Sequence, residues 1–129
     1  MLNLKTQNSN LNQKTNLRYR TYQFSLNIIN LLTQFPKERV FWIIGDQLLR
    51  SGTSIGANII EATSSSSKKY FINFYHIALK SANETEYWLS LLKDGHLIDS
   101  NKIDLLLREI NEISKMLGAS ILTMKTKDN

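Results

Sequence analysis

Apolar residues recur every three or four positions through four long stretches of this chain, and no stretch alternates apolar and polar residues as a strand would. The breaks between the stretches are short: Phe35-Pro36, the four serines at 64–67, and a polar turn near residues 95–99. Short connections place consecutive helices side by side and antiparallel. The pattern therefore predicts an all-α fold, an antiparallel up-down-up-down four-helix bundle.

The same breaks predict where each helix begins and ends. We expect helices over residues 17–34, 37–63, 68–93 and 100–125, in a bundle domain at 17–126. Pro36 is the only proline, and it favours both the end of the first helix and the start of the second. Residues 1–16 are polar, rich in asparagine and without apolar periodicity, which predicts a flexible tail.

Each predicted helix carries one apolar face. The stripe we assign to the core in the first helix comprises Tyr19, Tyr22, Leu26, Ile29, Leu32 and Phe35. Several large apolar residues fall partly outside the faces drawn in this way: Phe24, Ile28, Phe41, Trp42, Ile43, Tyr70, Trp88 and Leu105. Exposed aromatic residues at this density indicate a protein interface, so we expect a homo-oligomer.

The second helix also carries a polar seam and glycines in its middle. The seam, with steps of four and three residues, comprises Gln47, Ser51, Ser54, Asn58 and Glu61, and Arg50 lies beside it. Gly52 and Gly56 each weaken a helix by about 1 kcal/mol relative to alanine, so a closely packed neighbour must offset them. The third helix has small residues in its middle, and we expect the glycines to face it.

Two interpretations of the polar seam remain open. Arg50, Asn58 and Glu61 are structural if they form buried hydrogen bonds that set the register of the helices. They are functional if they contact a ligand or partner. We expect Glu61 to be buried.

The formal net charge is +5, and its positive part lies in the first two thirds of the chain. Residues 18–80 contain eight Lys or Arg against three Asp or Glu. Basic residues on bundle surfaces neutralise phosphates without reading bases. The candidate nucleic-acid contacts are Arg18, Arg20, Arg39, Lys68 and Lys69, with an ordinary solvated helix surface as the alternative.

Groups suited to catalysis or metal binding are sparse. His76 has no possible ligand partner three or four residues away, and His96 has only Asp99. Glu84 and Glu86 point in different directions on a helix. We therefore expect no enzymatic activity, no metal and no cofactor. The chain has no cysteine, no secretory signal pattern and no stretch apolar enough to span a bilayer, so we expect a soluble cytoplasmic protein without a membrane partner.

Three segments together resemble a known family: FPKERVFWIIGDQLLRSGTSIGANIIEA, KKYFINFYHIALKSANETEYWLSLLKD and EINEISKMLGASI. The chain is similar, over residues 17–125, to the bacterial four-helix bundle proteins related to the 23S ribosomal RNA intervening-sequence protein. The most specific positions are Gln47, Leu48, Arg50, Ser54, Ile55, Asn58, Ile59 and Glu61, with Ala78, Leu79, Ser81, Glu84 and Leu89. Two positions depart from the family pattern. Ser51 replaces an alanine, and Ala62 replaces a glycine that stops the helix, so we expect the second helix to continue toward the serines.

The resemblance implies a homopentamer of four-helix bundles around a central opening. A similar architecture occurs in the accessory subunit of diversity-generating retroelements, which resembles a basic barrel that engages nucleic acid and a reverse transcriptase. Our first hypothesis is a non-enzymatic, oligomeric nucleic-acid-binding accessory protein, with RNA favoured over DNA. The second is a protein-interaction scaffold that binds a reverse transcriptase or another protein and has no nucleic-acid role.

Overall fold

The structure is a computed structural model that describes residues 16–95 and 98–127. It contains four α-helices, α1 (Leu17–Leu32), α2 (Arg39–Thr63), α3 (Lys68–Asp94) and α4 (Ser100–Thr126), and no strand within those residues. This confirms the all-α four-helix bundle. The predicted flexible tail lies outside the described residues except for Asn16, and so does His96.

The helix termini follow from local chemistry at each break. The side chains of Asn16, Ser67 and Asp99 cap α1, α3 and α4 by accepting a hydrogen bond from a backbone N–H of the first turn. Because no glycine stops it, α2 runs on to Thr63, as expected from the replacement at Ala62. Around Pro36 both neighbouring helices are two residues shorter than predicted, and Gln34 and Phe35 lie in a turn.

Consecutive helices run antiparallel, and their contacts close the bundle in the order α1, α2, α3, α4. The backbone of Gly52 lies against Ile28 between α2 and α1. Ser51 Oγ lies 2.9 Å from Thr85 Oγ1 between α2 and α3, and Lys93 pairs with Asp104 at 2.8 Å between α3 and α4. One hydrophobic core joins all four helices. None of the described helices has an apolar stretch long enough to cross a bilayer.

The core-facing side of α1 differs from the predicted one. The buried residues of α1 are Leu17, Thr21, Phe24, Ile28 and Leu31. The predicted stripe lies instead at the flank and surface, with Leu26 and Ile29 exposed. Phe24 and Ile28, which we had placed partly outside the core, are fully buried. Thr21 is tolerated in the core because its hydroxyl donates to the Leu17 carbonyl oxygen at 2.7 Å.

The glycines of α2 face α1, which corrects the expectation that they face the third helix. A Cβ on Gly52 would lie 3.2 Å from Ile28 Cγ1, and a Cβ on Gly56 would lie 3.2 Å from Thr21 Oγ1. Both distances are tight, so α1 approaches α2 where side chains are missing. The small residues of α3 meet the serines of α2 instead. The glycines of α2 therefore allow close packing of α1, and its serines allow close packing of α3.

Candidate nucleic-acid interface

An even number of antiparallel helices gathers the starts of α1 and α3 and the ends of α2 and α4 at one end of the bundle. Five basic residues lie in the terminal turns there, and we call this region the basic end: Arg18, Lys68, Lys69, Lys125 and Lys127. All five side chains are exposed. A shallow depression beside the serine connection, lined by Lys68 and Met124 among others, joins the start of α3 to the end of α4.

The structure brings together three of the five residues predicted to contact nucleic acid. Arg18, Lys68 and Lys69 belong to the basic end, whereas Arg39 begins α2 at the opposite end of the bundle. The 25 residues of α2 separate the two ends by about 37 Å. Lys125 and Lys127 were missed in the sequence, although the even helix count was a signal that could have placed them beside Lys68.

Arg20 lies in an ion-pair cluster between α1 and α4. Its guanidinium Nη2 contacts Glu109 Oε1 at 2.6 Å and Glu112 Oε2 at 2.7 Å, and its Nε donates to Glu109 Oε2 at 2.9 Å. The side chain is only 16% exposed. The hydrogen bond to Glu109 is the main cause that raises the pKa of Arg20 above its ordinary value. Arg20 therefore connects two helices.

The inner part of the polar seam lies between α2 and α3. Ser81 Oγ donates to Ser54 Oγ at 3.1 Å, and Asn58 Nδ2 donates to the Ser54 carbonyl oxygen at 2.8 Å and to Ser54 Oγ at 3.0 Å. Ser51 contacts Thr85 deeper in the same seam. Every buried side-chain polar atom among the described residues has a partner. These residues set the packing of two helices.

The outer part of the seam is open to solvent. The Arg50 side chain is 71% exposed, hydrogen bonds to Gln47, and lies 3.9 Å from Glu84 Oε2. Glu84 in turn accepts a hydrogen bond from Trp88 Nε1 at 3.1 Å. Glu61 is exposed, so its expected burial was wrong. It follows Ser54 by seven residues on the outer edge of the seam, where its carboxylate avoids the desolvation penalty of a buried charge.

Metal-ligating side chains do not cluster anywhere in the described part of the chain. His76 is exposed on α3, away from the polar seam. The functional candidates are therefore the basic end, the exposed outer seam around Arg50, and the apolar surfaces that the bundle leaves uncovered.

Comparison with known proteins identifies the family to which this chain belongs. Residues 13–119 match the family described as 23S rRNA-intervening sequence protein. A crystal structure of a protein of unknown function from the S23 ribosomal protein family of Bacteroides thetaiotaomicron VPI-5482 is 41% identical, with a TM-score of 0.77 over 81% of this chain and 97% of that chain. Among curated proteins, no sequence matches significantly. With most of its length matched, the chain belongs to the 23S rRNA-intervening sequence protein family.

Proposed function

We propose that this protein is a non-enzymatic, homo-oligomeric accessory protein of the cytoplasm that binds nucleic acid, RNA in preference to DNA. The observation that carries the proposal is the basic end, where three helices contribute exposed lysine or arginine side chains to one surface. Such a surface attracts a phosphate backbone and releases its counterions. The family is named for an intervening sequence of 23S rRNA, which supports RNA as the ligand.

The chemistry of the basic end favours phosphate contacts over base recognition. Four of its five residues are lysines, which act as flexible point charges, and only Arg18 has a planar guanidinium. Phosphate contacts position a protein on nucleic acid without reading its sequence. We therefore propose binding with little sequence preference. Arg20 has a supporting role in this proposal, since its guanidinium holds α1 against α4 beside the basic end.

The homo-oligomer is supported by an apolar surface that α1 and α2 leave exposed. Trp42, Leu49 and Ile60 lie on one side of α2, at steps of seven and eleven residues, and Trp42 is 63% exposed. Tyr22 and Ile60 line a groove of about 230 Å³ between the two helices. We call this region the α1–α2 apolar surface and propose that it contacts a second copy. The resemblance to pentameric bundles supports five copies around a central opening.

The test of nucleic-acid binding is a salt titration of the purified protein with a structured RNA and with duplex DNA. We expect the logarithm of the affinity to fall linearly with the logarithm of salt, more steeply for RNA. Replacing Lys68→Glu and Lys69→Glu together should reduce the slope by about 2 and lower the affinity about tenfold or more at low salt.

The matched control is Arg108→Glu with Lys115→Glu. It changes the net charge equally on the exposed side of α4, away from the basic end, and should weaken binding much less. Equal losses in both variants would assign binding to net charge alone. An unchanged affinity after Lys68→Glu and Lys69→Glu would show that the basic end is not the binding surface.

A protein-interaction scaffold is the second candidate, and the exposed α1–α2 apolar surface favours it. In that function the surface binds a protein partner, a reverse transcriptase being the partner that the resemblance suggests. The salt titration separates the two candidates. No binding of either nucleic acid at low salt would favour the scaffold. Its protein partner would then be sought by binding to the α1–α2 apolar surface, which includes Trp42.

A further inference from the structure

Two depressions lie along the seam between the start of α3 and the end of α4, within the basic end. One is the depression beside the serine connection, and the other has a volume of about 370 Å³ and is lined by Tyr75, Ser120 and Thr123 among others. Phe71 and Met124 line both depressions, so the two adjoin. We call the two together the aromatic trough.

Two aromatic rings form the α3 wall of the aromatic trough. Phe71 and Tyr75 are one helical turn apart, and their rings are stacked with centroids 4.8 Å apart and an angle of 25° between the ring planes. Both side chains are partly exposed, so their rings are not sealed within the core. The α4 wall carries the hydroxyls of Ser120 and Thr123 and the thioether of Met124. Flat apolar faces opposite hydroxyls and a polarizable sulfur suit a planar heterocycle.

Lysines flank the aromatic trough. Lys68 lines it at the start of α3, and Lys125 follows Met124 directly at the end of α4. No carboxylate of the described residues lines the trough. A complementary ligand therefore has anionic groups for the lysines and a flat ring for the aromatic wall. Nucleic acid combines the two where its bases are unpaired, whereas a duplex keeps its bases stacked and paired inside.

We propose that the basic end binds single-stranded RNA: a base stacks on Phe71 or Tyr75 in the aromatic trough, and the lysines contact the phosphates on either side of it. This inference rests on the proposed function and narrows its ligand from nucleic acid in general to unpaired loops and ends. Every base has a π-face, so stacking on aromatic side chains is compatible with little sequence preference. A purely electrostatic surface would instead favour a duplex, which has the higher charge density and releases more counterions per phosphate contact.

The test compares a short RNA strand without self-complementarity with the same strand annealed to its complement. We expect the single strand to bind more tightly by about fivefold or more. Phe71→Leu keeps the apolar bulk but removes the ring, and should weaken single-strand binding about fivefold at every salt concentration. The slope of log affinity against log salt should not change, because no charge is lost. Duplex binding should not change either.

Two matched variants and one altered ligand serve as controls. Phe71→Tyr keeps the ring, and Tyr70→Leu removes the neighbouring ring, which is 56% exposed and lies outside the aromatic trough. Both should retain the affinity for the single strand. A strand with the same number of phosphates but abasic spacers in place of its bases should bind the unaltered protein about as weakly as the normal strand binds Phe71→Leu. This last measurement does not depend on the folding of a variant.

The outcomes separate this inference from the proposed function. Equal or tighter binding of the duplex, equal losses for Phe71→Leu and Phe71→Tyr, or full affinity for the abasic strand would each overturn base stacking in the aromatic trough. Phosphate binding at the basic end would stand in all three cases. No binding of either RNA form at low salt would overturn the proposed function, and this inference with it.

Discussion

Gly52 and Gly56 have no side chain at the two positions where α1 occupies the space. Ile28 Cγ1 and Thr21 Oγ1 each lie 3.2 Å from where a Cβ would be, and both neighbours are buried. Gly118 on α4 differs, since a Cβ there would meet nothing within 4 Å. The same residue type therefore has a packing role in α2 and no such role in α4.

This contrast gives a prediction for stability. Gly52→Val should lower the free energy of unfolding by about 1–3 kcal/mol, because the added methyl groups press on buried Ile28. Gly118→Ala should raise it by about 0.5–1 kcal/mol, because alanine restricts the unfolded chain and nothing obstructs its methyl group. Urea denaturation at one fixed protein concentration measures both. A stabilising Gly52→Val would show that α1 moves freely away from α2.

Arg20 and Glu61 show what the spacing of residues along the sequence does not predict about a single side chain. The partners of Arg20, Glu109 and Glu112, follow it by 89 and 92 residues, so spacing along the chain gives no sign of the ion pair. Glu61 shares the spacing of the seam but lies on its outer edge. The residue spacing predicted the polar seam of α2, but it did not distinguish the residues that face α3 from those that face solvent.

At the scale of helices, the α2–α3 contact is held by hydroxyl groups as well as by apolar side chains. Thr85 Oγ1 lies 2.8 Å from the Ser81 carbonyl oxygen and 2.9 Å from Ser51 Oγ. Both Thr85 and Ser51 are buried, so the cost of leaving either hydroxyl unpaired is high. The hydroxyls fix the register of the two helices, because a shift along either helix separates them.

A double-mutant cycle tests this pairing. Thr85→Val keeps the shape of the side chain but leaves Ser51 with its weaker contact to the Leu48 carbonyl oxygen at 3.3 Å, and should lower the free energy of unfolding by about 1–2 kcal/mol. Ser51→Ala made in addition should add little, because both partners are then apolar. Strictly additive losses would mean that the two hydroxyls do not interact.

The sequence predicted the helices well and the orientation of one of them poorly. Capping residues placed the ends of α3 and α4 within one residue of their observed positions. In α1 two sets of residues have helical spacing. We assigned to the core the set that contains more large apolar residues. The buried stripe includes Thr21, whose hydroxyl is satisfied within its own helix and whose neighbour is Gly56. That complementarity exists only between helices, and no single-helix pattern shows it.

At the scale of the whole molecule, the two proposed surfaces lie on different parts of the bundle and meet at Arg18, which lines the groove between α1 and α2. Basic residues gather at one end, whereas the α1–α2 apolar surface runs along the side. If the side contacts other copies, all basic ends in a closed ring point the same way. The basic ends of five copies would then form one larger cationic face, on which many weak phosphate contacts act together.

Measuring the molecular mass in solution tests whether the α1–α2 apolar surface contacts other copies. Trp42→Glu with Leu49→Glu should reduce the mass measured by light scattering to that of one chain, 14.9 kDa, because the charges cannot be desolvated in an apolar contact. Tyr87→Glu with Leu91→Glu makes the same charge change on exposed apolar residues of α3 and should leave the assembly intact. A control that dissociates equally would place the interface elsewhere or attribute assembly to net charge.

Because the bundle has an even number of helices, Asn16 and Lys127, the first and last residues of the described chain, emerge at the basic end. An affinity tag fused close to Asn16 or Lys127 would therefore lie beside the surface proposed to bind nucleic acid, and a polyhistidine tag would add its own positive charge at low pH. The turn between α1 and α2, near Pro36, lies at the far end. It is the natural place for a fluorophore that reports on binding without taking part in it.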